Sequence, residues 1–75
     1  MLCDFVITFD PATVSMSRVA YAMNAVYPAR PWYFDGTSVV SIPNVPARDV
    51  WDYWKTTTEL ALFGITVTKI EYVTD

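Results

Sequence analysis

The chain has no histidine, a single cysteine at Cys3 and only two glycines, and each shortage closes off a class of chemistry. Without histidine there is no imidazole to serve as a general base near neutral pH, and the commonest transition-metal ligand is gone. One thiol makes neither an intramolecular disulfide nor a thiolate metal site, and as a nucleophile it would lack an imidazole partner. Gly36 and Gly64 stand alone rather than in a phosphate-cradling loop. Basic residues are also few. Arg18, Arg30, Arg48, Lys55 and Lys69 are scattered with no two adjacent, and eight acids bring the net charge to −3. A nucleic-acid binder neutralises phosphates with clustered Lys and Arg, so no nucleic-acid partner is expected. The acids are too sparse for a mimic of DNA. No run approaches the ~18 apolar residues of a membrane span, and the N-terminus lacks the basic-then-apolar pattern of an export signal. The expectation is a cytoplasmic protein with no membrane partner (in the host cell's cytoplasm if virus-encoded), in a reducing compartment. No cofactor, no metal and no catalytic residue are expected.

What is present is apolar mass. Hydrophobic residues make up 53% of the 75 and aromatics 16%, with three Trp. A chain this short draws only ~3–5 kcal/mol from one core, so that density has to replace the missing staples. A single domain over residues 1–75 is expected, with no repeat and no linker.

From Leu2 to Phe9 the chain alternates, with Cys3, Phe5, Ile7 and Phe9 on one side and Asp4, Val6 and Thr8 on the other. That is a strand with one buried face, and Cys3 reads as core. Asp10-Pro11 ends it. A helix follows, on which Met16, Val19, Ala20, Met23, Val26 and Tyr27 form one stripe, with Ala22 on the far side. Asp10, Thr13 and Ser15 are each acceptable caps, and Pro28 requires an end by Tyr27. Asp35-Gly36 signals a hairpin. A three-residue turn with a bulge gathers Trp32 and Phe34 with Val40 and Ile42, and sends Tyr33, Val39 and Ser41 to the other face.

Asn44-Val45-Pro46 is expected to close that strand and open a second helix with Val50, Trp54, Thr57 and Ala61 inward. Thr56-Thr57-Thr58 is poor helix material, and Thr56 with Glu59 spells a capping box, so a kink or restart is expected there. Gly64 is the natural stop. Ile65 and Val67 share one strand phase and Ile70 and Tyr72 the other, which predicts a bulge near Thr68-Lys69. The order β-α-β-β-α-β indicates an α+β, two-layer, ferredoxin-like sandwich: a four-stranded antiparallel sheet in order 4-1-3-2 with both helices on one face.

The strand Phe5-Val6-Ile7-Thr8-Phe9 ending in Asp10 resembles the opening of the small ferredoxin-like nucleases of CRISPR adaptation. That resemblance implies a metal-dependent nuclease-like domain using Asp10, paired with its copy across a dimer. The likeness covers Phe5 to Asp10 only, and the low basic content weighs against a duplex-binding relative. Asp49 and Asp52 share a helix face, but a pair is too sparse for a hard cation.

Two main surfaces and a third, weaker one suit a protein partner. One is the sheet face away from the helices, with Val6, Thr8, Tyr33, Val39, Ser41, Thr66 and Thr68. The other is the second helix, where Trp51 beside Asp52 and Lys55 has the make-up of an interface hot spot. Tyr21 and the chain around Arg30 and Trp32 form a third candidate. The reading that follows is a small non-catalytic protein-binding module. Inhibitors carried by phages and mobile elements, those against CRISPR or host enzymes among them, share its size and character. The alternative is a homodimeric structural or accessory subunit.

Overall fold

The structure is a computed structural model that describes residues 2–46 and 53–74. In chain order these form β1 (Leu2–Phe9), a 3-10 turn (Pro11–Thr13), α1 (Met16–Val26), β2 (Tyr33–Phe34), β3 (Val39–Pro46), α2 (Tyr53–Ala61) and β4 (Val67–Thr74). The sheet runs β2-β3-β1-β4, and every neighbouring pair is antiparallel. This is the α+β ferredoxin-like sandwich that the element order predicts, with the two most apolar strands in the centre.

The alternation of β1 decides where the core lies. Cys3, Phe5, Ile7 and Phe9 are all buried against Val19, Ala22 and Met23 of α1 and Leu60 of α2. Cys3 is core, and its thiol donates to the Val45 carbonyl at 3.4 Å. Two of the candidate caps act in succession. The Asp10 carboxylate accepts from Ala12 N–H at 3.0 Å to cap the 3-10 turn, and the Ser15 hydroxyl accepts from Arg18 N–H at 3.3 Å to start α1. The helix ends where Tyr27 N–H donates to the Met23 carbonyl, one residue before Pro28.

The inner stripe of α1 differs from the expected one at two positions. Met16 is 59% exposed and Ala22 is fully buried. Because Ser15 sets the start, Met16 sits in the first helical position, beyond the reach of the core. The side that packs is Val19, Ala22, Met23, Val26 and Tyr27, and the small Ala22 side chain permits close approach there.

The hairpin pairs Phe34 with Val40 and Tyr33 with Ser41, so Phe34, Val40 and Ile42 share the core face as expected. The connection is longer than a three-residue turn. Residues 35–39 separate the paired positions, and Asp35 N–H donates to the Val39 carbonyl at 3.0 Å. One Asp35 oxygen holds this loop by accepting from the N–H groups of Thr37, Ser38 and Val39 at 2.8, 2.9 and 3.1 Å.

The strand does not close at Asn44. Asn44 adopts φ +60, and a bulge there moves Val45 opposite Cys3 although Ile42 lies opposite Phe5. The extra residue restores the inward phase, so Val45 is buried and β3 continues to Pro46. Among the described residues α2 begins at Tyr53, and Val50 and the side chain of Trp54 lie outside them. Its fully buried positions are Thr56 and Leu60; of the expected Thr57 and Ala61, Thr57 is half-buried with its hydroxyl turned inward and Ala61 is exposed. There is no restart at Thr56. Its hydroxyl meets the Tyr27 hydroxyl at 2.8 Å, which satisfies it inside an unbroken helix.

Gly64, at φ +77, ends the helix as the left-handed residue of a Schellman turn. Ile65 N–H reaches the Leu60 carbonyl at 3.2 Å and Gly64 N–H the Ala61 carbonyl at 3.0 Å. In β4 the expected bulge is present. Thr8 pairs with Lys69 while Phe9 pairs with Val67, leaving Thr68 as the extra residue.

Candidate partner-binding surfaces

The registers align side chains in rows across the sheet. Tyr33 lies opposite Ser41, Ser41 opposite Val6, and Val6 opposite Glu71. A second row runs Val39, Thr8, Lys69. Since Cys3, Phe5, Ile7 and Phe9 face the helices, both rows lie on the face the helices leave uncovered. Tyr33 is 65% exposed at one end, while Val6, Thr8, Val39 and Ser41 are half-buried. Lys69 and Glu71 form an ion pair at 3.3 Å at the other end. This face therefore grades from aromatic to apolar to paired charge.

The sequence pattern supplied most of this face, with one correction. Thr66 and Thr68 do not occupy its fourth column. Thr66 precedes β4, and Thr68 is the bulge residue, its hydroxyl donating to the Thr8 carbonyl at 3.2 Å. Lys69, Glu71 and Val73 take those places. With Ile70 and Tyr72 in the inward phase beyond the bulge, Glu71 already falls on the outer face, and fixing the bulge at Thr68 places Lys69 there too.

The remaining sequence candidates fall elsewhere. Trp51 and Asp52 lie outside the described residues. Lys55 is exposed on α2 and borders a cleft of about 240 Å³ lined by Val26, Tyr27, Pro28, Arg30, Thr56 and Glu59. That volume is below the ~300–1,000 Å³ common for small-molecule sites. Tyr21 is 71% exposed on α1 and packs edge-on against Phe63 at 5.6 Å between ring centroids. Tyr33 and Val39 are thus on the sheet face, and Tyr21 and Lys55 in the helical layer, so the candidates do not make one patch.

Two groups in these regions have shifted acidity. Burial pushes the Tyr27 hydroxyl up to about 12 against the opposing pull of Thr56, with Glu59 and Tyr72 adding to the rise. The N–H groups of Val39, Thr37 and Ser38 hold the exposed Asp35 carboxyl below its usual value. Asp10 is engaged as a cap, and among the described residues no cluster of three His, Cys, Asp or Glu stands ready for a metal. Among them, too, no helix is long and apolar enough to cross a membrane. Comparison with protein-family models, curated proteins and solved structures finds no match to this chain.

Proposed function

We propose that this chain is a non-catalytic protein-binding module that acts by covering a partner's surface with its uncovered sheet face. Small inhibitors carried by phages and mobile elements, anti-CRISPR proteins and inhibitors of host enzymes among them, share its size and character and provide the functional class for the reading. The observation that carries it is the row Tyr33, Ser41, Val6, Glu71, a cross-strand strip with an exposed aromatic at one end and charge at the other. Protein interfaces favour an aromatic anchor with an apolar centre and a polar rim. A base-stacking platform would need several aromatics and flanking cations. Lys69 is the one base in the two rows, and it is already paired with Glu71.

The test is affinity capture from host lysate with tagged wild type and a folded Tyr33→Ala/Val39→Ser variant, quantified by mass spectrometry. A protein retained stoichiometrically by the wild type and lost from the variant supports the reading. Equal retention by both would remove the sheet face from it.

A further inference from the structure

The two edges of the sheet are unlike each other. β2 is 2 residues long, a length too short to template another strand, whereas β4 runs for 8. Among the described residues nothing pairs with the outer side of β4, since the sheet ends there. Beyond the bulge at Thr68, the run Lys69-Ile70-Glu71-Tyr72-Val73-Thr74 is rich in β-branched and aromatic residues, and Tyr72 and Val73 are 42% and 44% exposed. An edge of this kind, with six residues beyond its bulge, either receives a strand or risks uncontrolled association.

The charge pattern selects the occupant. Two copies meeting edge to edge, antiparallel, are related by a two-fold axis normal to the sheet, which keeps both helical layers on one side. Residues facing each other across that axis belong to the same face, so the register must centre on a residue and not between two. Centring on Lys69 or on Glu71 sets like charges directly opposite, which is destabilising. Centring on Tyr72 leaves Glu71 opposite Val73 and Lys69 beyond the regular overlap. Centring on Ile70 sets Ile70 against Ile70 of the second copy and places Lys69 opposite Glu71 of that copy on both sides of the axis, with regular pairing over Lys69, Ile70 and Glu71 and Tyr72 meeting the bulge residue Thr68. The Lys69–Glu71 pair already held at 3.3 Å within one chain then becomes half of an alternating square of four charges.

We infer that β4 is a self-recognition edge on which a second copy of this chain docks antiparallel, centred on Ile70, to continue the sheet. The docking uses the backbone edge of β4 together with Lys69 and Glu71, which also end the two rows of the partner-binding face, and it leaves Tyr33 and Val39 at the far end of each half.

Sedimentation of the full chain tests it directly. Wild type is expected to sediment as a dimer. Lys69→Glu and Glu71→Lys should each raise the dimer dissociation constant about tenfold, because each turns two attractive cross-strand pairs repulsive. The swapped double variant Lys69→Glu/Glu71→Lys should return to near wild-type dimerisation, since its pairs are complementary again. Both residues are exposed, so the variants should fold, and circular dichroism verifies that. A chain monomeric up to ~1 mM would overturn the proposal, since the free energy at that affinity is only about 4 kcal/mol. So would a dimer unmoved by the single changes or not restored by the double.

Discussion

The hydroxyls of Tyr27 and Thr56 meet at 2.8 Å in the core, joining the C-terminal cap of α1 to the middle of α2. Each is a polar group that would be costly to bury alone, so the pair fixes how the two helices sit on the sheet. The Tyr27 ring adds an edge-on contact with Phe5 at 6.2 Å between centroids. Thr56→Val should cost about 1 kcal/mol by removing one buried hydrogen bond while conserving shape. A double-mutant cycle with Tyr27→Phe should show coupling of about 1 kcal/mol in urea unfolding. A coupling near zero would mean that the two hydroxyls do not stabilise one another.

Alkaline stability follows from the same pair. The unfolded chain ionises its tyrosines near about 10, whereas Tyr27 in the fold is pushed up to about 12. The folded state therefore holds this proton more tightly. Its contribution is complete below the unfolded value and is lost as pH rises from there through the folded one. Denaturant midpoints should fall over that window in the wild type and fall less in Tyr27→Phe. Since Thr56 lowers the Tyr27 pKa, Thr56→Val should move the ultraviolet titration of Tyr27 to higher pH while the chain remains folded.

Asp35 gives the opposite sign in acid. Its carboxyl is held low by the N–H groups of Val39, Thr37 and Ser38, so its contribution is present above the unfolded carboxylate range and is lost as pH falls through the folded value. Asp35→Asn keeps an acceptor oxygen but no charge. It should flatten the dependence of stability on pH in acid relative to wild type, read from urea midpoints at several pH values. An unchanged slope would show that the loop does not depend on the charge.

Gly64, Gly36 and Ala29 share a positive φ and differ in what surrounds a side chain there. A Cβ added at Gly64, at φ +77, would approach Arg18 Nη1 to 3.1 Å, and that same nitrogen donates to the Gly64 and Thr13 carbonyls. Gly64→Ala should cost about 1–2 kcal/mol. Gly36, at φ +88, has nothing within 4 Å of the added carbon, so Gly36→Ala carries the backbone strain without the displaced arginine and should cost less. Ala29 already sits at φ +64, so Ala29→Gly should be neutral or stabilising by up to about 1 kcal/mol, contrary to the usual effect of glycine. Thermal unfolding of the three variants orders them.

Much of the fold is legible in the sequence because strand alternation and terminators are local signals. β1, the C-terminal end of α1, the Gly64 stop and the strand order could be read from residue spacing alone, whereas Asp10, Thr13 and Ser15 left the start of α1 open. What could not be read were the places where one residue changes phase. The bulge at Asn44 is invisible as periodicity, since Pro43-Asn44 looks like a terminator until Val45 is seen opposite Cys3. Thr56 looks like a cap because its hydroxyl seeks a partner, and only the tertiary fold brings Tyr27 to it. On the candidate face, Tyr33, Val39, Val6 and Ser41 were legible from alternation, while the place of Lys69 depended on the exact position of the bulge.

The most direct test of the sheet face as the partner-binding surface is site-specific photocrosslinking in host lysate. A photoreactive phenylalanine analogue would replace Tyr33 on the uncovered face or, in a second variant, Leu62, which is 81% exposed beyond the end of α2. The account predicts one host protein crosslinked from position 33 and not from position 62. Crosslinking of that protein from position 62 alone, or from neither position, would contradict it.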